Sequence, residues 1–131
     1  MLTYSGYLFL RDAEGGRKIV AEVPKYKIGE TIYFVIENIG KFTQDSDGLY
    51  RGNSYMRIKD FQGQVIAHHD NVLGEDTEMN SITETGYLKS PYTFYRTDET
   101  DKPGIYRFEM IMVDKVIGDV ISIGSDFEIY E

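Results

Sequence analysis

The residues most able to do chemistry are few. The chain has 2 histidines, His68 and His69, adjacent and followed by Asp70. A His–Asp pair could shuttle a proton or help bind a metal. On a strand, however, neighbouring side chains face opposite sides, so both imidazoles cannot reach one ion without a bend. "HHD" reads first as a strand end entering a loop, and second as a His–Asp pair at a loop mouth. The segment "TQDSDGLYRGN" offers Asp45 and Asp47 in a D-x-D-G order. Their hard oxygens suit Ca²⁺, although the later ligands and closing Glu of an EF-hand loop are missing. With no Cys, a thiolate nucleophile, a disulfide and a thiolate zinc site are all excluded. "DAEGGRK" holds two glycines and a Lys but precedes no helix, so it reads as a hairpin loop and not as a phosphate cradle. No nucleophile–base arrangement and no carboxylate pair in a cleft can be identified. The expectation is a protein that is not an enzyme.

Aromatic residues are the other unusual resource, with 11 Tyr and 7 Phe but no Trp. They crowd "GYLKSPYTFYR". If Tyr92 and Phe94 face the core there, Tyr87 and Tyr95 face out and become candidate contacts for a protein or a sugar. Cross-strand aromatic packing is the alternative use of the same residues. Pro91 makes this segment an edge strand or a bulge.

The elements that must position these residues are strands, because the apolar positions recur with period two. Ile32, Phe34 and Ile36 point one way in "ETIYFVIENIG", against Thr31, Tyr33 and Val35. Tyr106, Phe108, Met110 and Met112 alternate with Arg107, Glu109, Ile111 and Val113. Phe127 and Ile129 alternate with Asp126, Glu128 and Tyr130. Strands are expected near 2–11, 17–23, 30–39, 54–60, 64–69, 86–96, 104–113 and 119–130. "DFQGQ" joins two of them as a hairpin, and "DETDKPG" and "DKVIGD" punctuate the C-terminal third. "NVLGEDTEMNSITETG" is the least legible segment, with a helical turn or a short strand near Glu78–Thr83. No window supports a long amphipathic helix. The fold class is all-β: an antiparallel sandwich of seven to nine strands in one domain over residues 1–131.

Charge narrows the partners. With 22 Asp+Glu against 14 Lys+Arg, the formal charge is −8. Such a chain repels phosphate backbones and carries no basic run, so nucleic acid is not expected. No apolar run is long enough to cross a bilayer, and "MLTYSGYLFLRD" lacks the basic start of a signal peptide. Membrane insertion is not expected. A cytoplasmic setting is favoured, and an exported one if the chain has been trimmed.

The stretch "DETDKPGIYRF" resembles the E–F corner of immunoglobulin-like domains, in which a Tyr hydroxyl bonds back to upstream backbone. The resemblance makes Asp101, Gly104, Tyr106 and Phe108 the corner, with Phe108 where antibody domains place their second Cys. One residue more separates Asp101 from Gly104 than in antibodies, and the strand-C Trp is absent. "KPGIYRF" is closer to the Pro-Gly-x-Tyr corners of bacterial and archaeal immunoglobulin-like modules. "KYKIGETIYFVIENIG" resembles their second strand. The chain is also loosely similar to the small intracellular proteinase inhibitors of bacilli, without an inhibitory loop that can be matched residue by residue. The immunoglobulin-like topology implies that the B–C and F–G loops share one end. That would gather Asp45 and Asp47 with Asp114 and Asp119, a ligand set for Ca²⁺ with Lys115 in its midst.

These readings converge on a non-enzymatic module that contacts a protein partner through loops or an edge strand, the edge strand also offering a route to a homo-oligomer. The alternatives are a carbohydrate-binding or cell-surface module with Ca²⁺ at the acidic loops, and a proteinase-inhibitor-like protein.

Overall fold

In a computed structural model, which describes residues 1–70, 86–88 and 91–131, the period-two runs become strands. They are β1 (Gly6–Asp12), β2 (Lys18–Val20), β3 (Lys25–Lys27), β4 (Thr31–Glu37), β5 (Gly52–Lys59), β6 (Val65–Asp70), β7 (Tyr92–Arg96), β8 (Gly104–Asp114) and β9 (Asp119–Tyr130). They form a four-stranded sheet of order β2-β1-β4-β7 and a five-stranded sheet of order β3-β9-β8-β5-β6. Every pairing is antiparallel except that of β3 with β9. The architecture is an all-β sandwich.

Alternation decides which side of each sheet is buried. Ile32, Phe34 and Ile36 of β4 are fully buried, as are Phe108, Met110 and Met112 of β8. Phe34 and Phe108 stack across the two sheets with ring centroids 5.1 Å apart, and Phe9 and Phe127 pack around them. Such aromatic contact adds to the burial of large apolar area, the main driving force of the fold.

The turns follow local chemistry. At "DFQGQ" one Asp60 carboxylate oxygen accepts from the Gln62 and Gln64 amides, each at 2.9 Å, and closes the β5–β6 hairpin. Arg17–Lys18 enters β2 after a single 3₁₀ turn over Glu14–Gly16. The expected hairpin between the first two strands is therefore present.

Two strands depart from expectation. β3 was not predicted: three residues are too few to show a period, and only Tyr26 between the exposed Lys25 and Lys27 is buried. The strand expected over 86–96 begins as a regular strand at Tyr92, with Leu88 making an isolated bridge to Ile39. The expected turn or strand near Glu78–Thr83 lies outside the described residues.

Candidate functional site

The strongest concentration of unburied chemistry is on the outer face of the four-stranded sheet. Register places Val20, Leu10, Tyr33 and Phe94 in one row across β2, β1, β4 and β7. Leu8, Val35 and Tyr92 form the next row. Tyr92 and Phe94 are 51% and 58% exposed, and Val20 is also exposed. This reverses the expected orientation of β7. Tyr92 and Phe94 face out, and Thr93 and Tyr95 face in. The reason is register: Phe94 lies opposite Tyr33 and Tyr92 opposite Val35, both on the outer side of β4.

The rings do not lie in one plane. Tyr33 is tilted 57° from Tyr92 and 47° from Phe94, with centroids 6.3 and 6.1 Å away. A polar rim flanks them. The Tyr33 hydroxyl donates to the Asp12 carboxylate at 3.0 Å, and Lys18 Nζ lies 4.7 Å from the Tyr33 ring centroid. Desolvation, then the Asp12 hydrogen bond and charge, hold this hydroxyl above the usual tyrosine range.

Tyr95, expected as an outward contact, belongs to the corner instead. Its hydroxyl donates to both Asp101 carboxylate oxygens at 2.9 and 3.1 Å, and the Asp98 amide donates to the same group. The Tyr106 hydroxyl donates to the Lys102 carbonyl at 2.6 Å, four residues upstream. Gly104, at φ 153°, adopts a backbone conformation that side chains avoid, and Phe108 is fully buried two residues beyond Tyr106. The other expected contact, Tyr87, is half-buried beside Gly40: a Cβ on Gly40 would stand 2.8 Å from its ring.

The acidic loops do meet at one end of the sandwich, where the Lys115 amide donates to the Arg51 carbonyl at 2.9 Å. The four aspartates nevertheless make no ligand set. Asp45 accepts from the Asp47 and Leu49 amides and pairs with Arg51 Nε at 2.6 Å. The Leu49 bond and the Arg51 bond hold its carboxyl below the usual range. Asp114 is fully buried and accepts from the Thr43 and Val116 amides. Asp119 accepts from the Leu2 and Val120 amides. Among the described residues no three His, Asp or Glu side chains are grouped to hold a metal ion. Asp45, Asp47, Asp114 and Asp119, expected as Ca²⁺ ligands, form no such group among the described residues. Asp45 accepts from amides of its own loop, as Asx-turn chemistry favours, whereas Asp114 and Asp119 also tie distant backbone, the Thr43 and Leu2 amides, to this end of the sandwich.

His68 and His69 do face opposite sides, His68 opposite Arg57 and His69 opposite Met56. His68 Nε2 lies 2.7 Å from Asp70 Oδ1, with both side chains exposed. That is a surface pair of two.

Sequence reasoning missed Tyr33, Tyr92, Phe94, Leu8, Leu10 and Val20 as a single face. The signal was the polar–apolar alternation of β4, which already set Tyr33 and Val35 on its outer side. What was not legible was which strands lie beside it.

No family model and no curated protein matches the chain in sequence. Among solved structures, the chain is similar to the C-terminal domain of Wzt, at TM-score 0.56 and 9% identity over 99% of this chain and 74% of that one. At this identity the likeness is one of fold. Among the described residues no helix is long and apolar enough to cross a membrane.

Proposed function

We propose that the chain is a non-enzymatic binding module that holds a protein partner on the outer face of its four-stranded sheet. The observation that carries this reading is the exposed pair Tyr92 and Phe94, continuous with Tyr33, Leu10 and Val20 across all four strands. Monomeric surfaces rarely leave a contiguous apolar stripe in water without a use for it. Aromatic centres with a polar rim, here Asp12, Lys18 and Arg96, are the composition of protein interfaces. The tilt between the rings and the aliphatic neighbours suit a side-chain-rich partner better than a flat sugar.

A carbohydrate is the second reading. It is favoured by the Tyr33 hydroxyl and Asp12 carboxylate beside exposed rings, which could bond sugar hydroxyls while a ring stacks on the C–H face.

The finer fold assignment is immunoglobulin-like. It is supported by the Tyr106–Lys102 corner between β7 and β8 and by β8 lying between β5 and β9, as strand F lies between C and G.

The test pairs the wild-type domain with the double variant Tyr92→Ser/Phe94→Ser in affinity capture and on a glycan array, with light scattering for self-association. The proposal expects a saturable protein partner retained by the wild type and lost by the double variant. Glycan binding lost in the same variant would replace it by the second reading. Binding indifferent to both substitutions would remove the sheet face from either.

A further inference from the structure

The edge of a sheet presents unpaired main-chain groups, and folded chains blunt it with short strands, Lys, Pro or bulges. All four edge strands here carry such a device. β2 and β3 are three residues each and bring Lys18, Lys25 and Lys27 to the rim. β6 is bulged opposite Ile58 and Lys59, and β7 starts directly after Pro91. One further edge carries none. β3 lies only beside residues 128–130 of β9, so the rest of β9 has β8 on one side and no strand on the other among the described residues. Residues 120–125, "VISIGS", hold no Lys, no Pro and no charge. Their pairing with β8 runs without a register shift.

Two hydrogen bonds show which groups face the open side. The Glu128 amide donates to the Pro24 carbonyl at 2.8 Å, and the Ile28 amide donates to the Tyr130 carbonyl at 2.9 Å. Even-numbered residues of β9 therefore turn their N–H and C=O away from β8. The same alternation aims both main-chain groups of Ser122 and of Gly124 outward, where neither has a main-chain partner among the described residues. The Val120 amide is occupied by Asp119 Oδ1 at 3.1 Å. β3 cannot run back to cover the gap, because Pro24 has no N–H to add to the ladder. The other sheet recedes at the same place: β2 pairs with β1 only at Leu10, Arg11 and Asp12. Between the two edges stands Tyr7, 42% exposed, whose hydroxyl accepts from Ser125 Oγ at 3.1 Å.

We infer that this free edge of β9 takes up an extended peptide segment of another protein as an added strand. The segment's main chain pairs with Ser122 and Gly124. Its side chains alternate between the inner side, where the Tyr7 ring and the half-buried Ile121 offer contact, and the outer side beside the exposed Val120. The formal charge of −8 favours a neutral or basic segment over an acidic one, and it sets two copies of this chain against each other. Tyr92 and Phe94 lie on β7, at the far edge of the other sheet, so this surface is independent of the aromatic face.

The test selects a display library of random short peptides on the wild-type domain and follows the strongest binder by amide NMR. Binding should slow hydrogen exchange at the Ser122 and Gly124 amides by about ten-fold or more, as new main-chain bonds form there. Ser122→Pro removes an N–H that the fold does not use, so the domain should keep its folded spectrum and bind about ten-fold or more weakly. If that variant does not fold, the peptide supplies the same check. N-methylation of the alternate residues that face β9 should abolish binding, and N-methylation of the other set should spare it. Two Glu residues placed in the peptide should weaken it, and Tyr92→Ser/Phe94→Ser should leave it unchanged. No selected binder, or a binder that leaves the Ser122 and Gly124 amides exchanging as before, would overturn the inference. So would slow exchange at those amides in the free domain together with a dimer in light scattering, which would give the edge to a second copy of the chain.

Discussion

The two sheets bury their inner faces in the same way and present opposite outer faces. On the five-stranded sheet, Glu109 sits at the centre of the outer side and is only 8% exposed. Arg57 Nη2 and Lys59 Nζ reach one of its oxygens at 3.3 Å each, and Arg107 Nε reaches the other at 3.5 Å. Arg107 extends on to Asp126 at 3.4 Å. Gly124 makes room for it, since a Cβ there would meet the Arg107 guanidinium at 3.0 Å. That face pairs its charges with its own residues, although Arg57 Nε there is buried without a hydrogen-bond acceptor among the described residues. The outer face of the four-stranded sheet leaves Tyr92 and Phe94 in water with no cover of this kind. A face whose charges are paired among themselves gains less from a partner than one that leaves large rings in water.

The comparison presumes a shared inner layer that holds both faces, and the largest effect tests that layer. Phe108→Ala should cost about 3–5 kcal/mol in denaturant unfolding, because it removes the ring that stacks on Phe34 between the sheets. A small cost would mean that the layers are not joined there. The next effect tests the charged face. Glu109→Gln leaves Arg57, Lys59 and Arg107 facing one another without their shared anion. Those three side chains are about a third to a half exposed, so solvent screens each pair. The expected loss is about 1–2 kcal/mol, shrinking as salt is raised. No loss at all would mean that the cluster is not self-sufficient and that this face, too, awaits an external ligand.

The contrast between the faces was half legible in the sequence. Alternation in "TIYFVIE" and "YRFEMIMVD" set Phe34 and Phe108 inside and Tyr33, Arg107 and Glu109 outside. It did so because a side-chain period of two is a local property. The corner was legible for the same reason, since Tyr106 and Lys102 are close along the chain. Cross-strand rows were not. Whether Tyr92 or Tyr95 faces out depends on which residue of β4 it opposes, and that is decided by pairing across some sixty residues. The acidic loops illustrate a second limit. Topology brought the ends of Asp45 and Asp114 together as expected, yet nearby amides and Arg51 take up their oxygens. Sequence spacing shows which carboxylates can meet and not which are already bonded.

The corner supplies smaller effects that leave both outer faces intact. Tyr106→Phe removes the bond to the Lys102 carbonyl and should cost about 1 kcal/mol, measured by thermal or denaturant unfolding. A neutral result would detach the corner from the stability of either sheet. Tyr95 should report in alkali. Burial, and then the Asp101 hydrogen bond and charge, raise its hydroxyl well above the ordinary value of 10.0. The folded chain therefore holds that proton more tightly than the unfolded one. Its contribution is complete below about pH 10 and declines as pH rises from there through the folded-state value. Tyr95→Phe should flatten this part of the alkaline stability curve. An unchanged curve would assign the alkaline loss to other groups.

The smallest expected change in stability is the one that most sharpens the comparison. Tyr92→Ser/Phe94→Ser removes two large rings, yet both are more than half exposed and each meets Tyr33 only at a tilt. Little apolar area returns to water when they go, and β7 keeps its backbone pairing to β4. The expected loss is about 0.5 kcal/mol, within the range of ordinary surface changes. Compared with Glu109→Gln in the same denaturant series, the double variant should therefore be the milder. A loss above about 2 kcal/mol would show that the rings stabilise the sheet through cross-strand packing. The aromatic face would then be as self-sufficient as the charged one, and its claim to a partner would lose its physical basis.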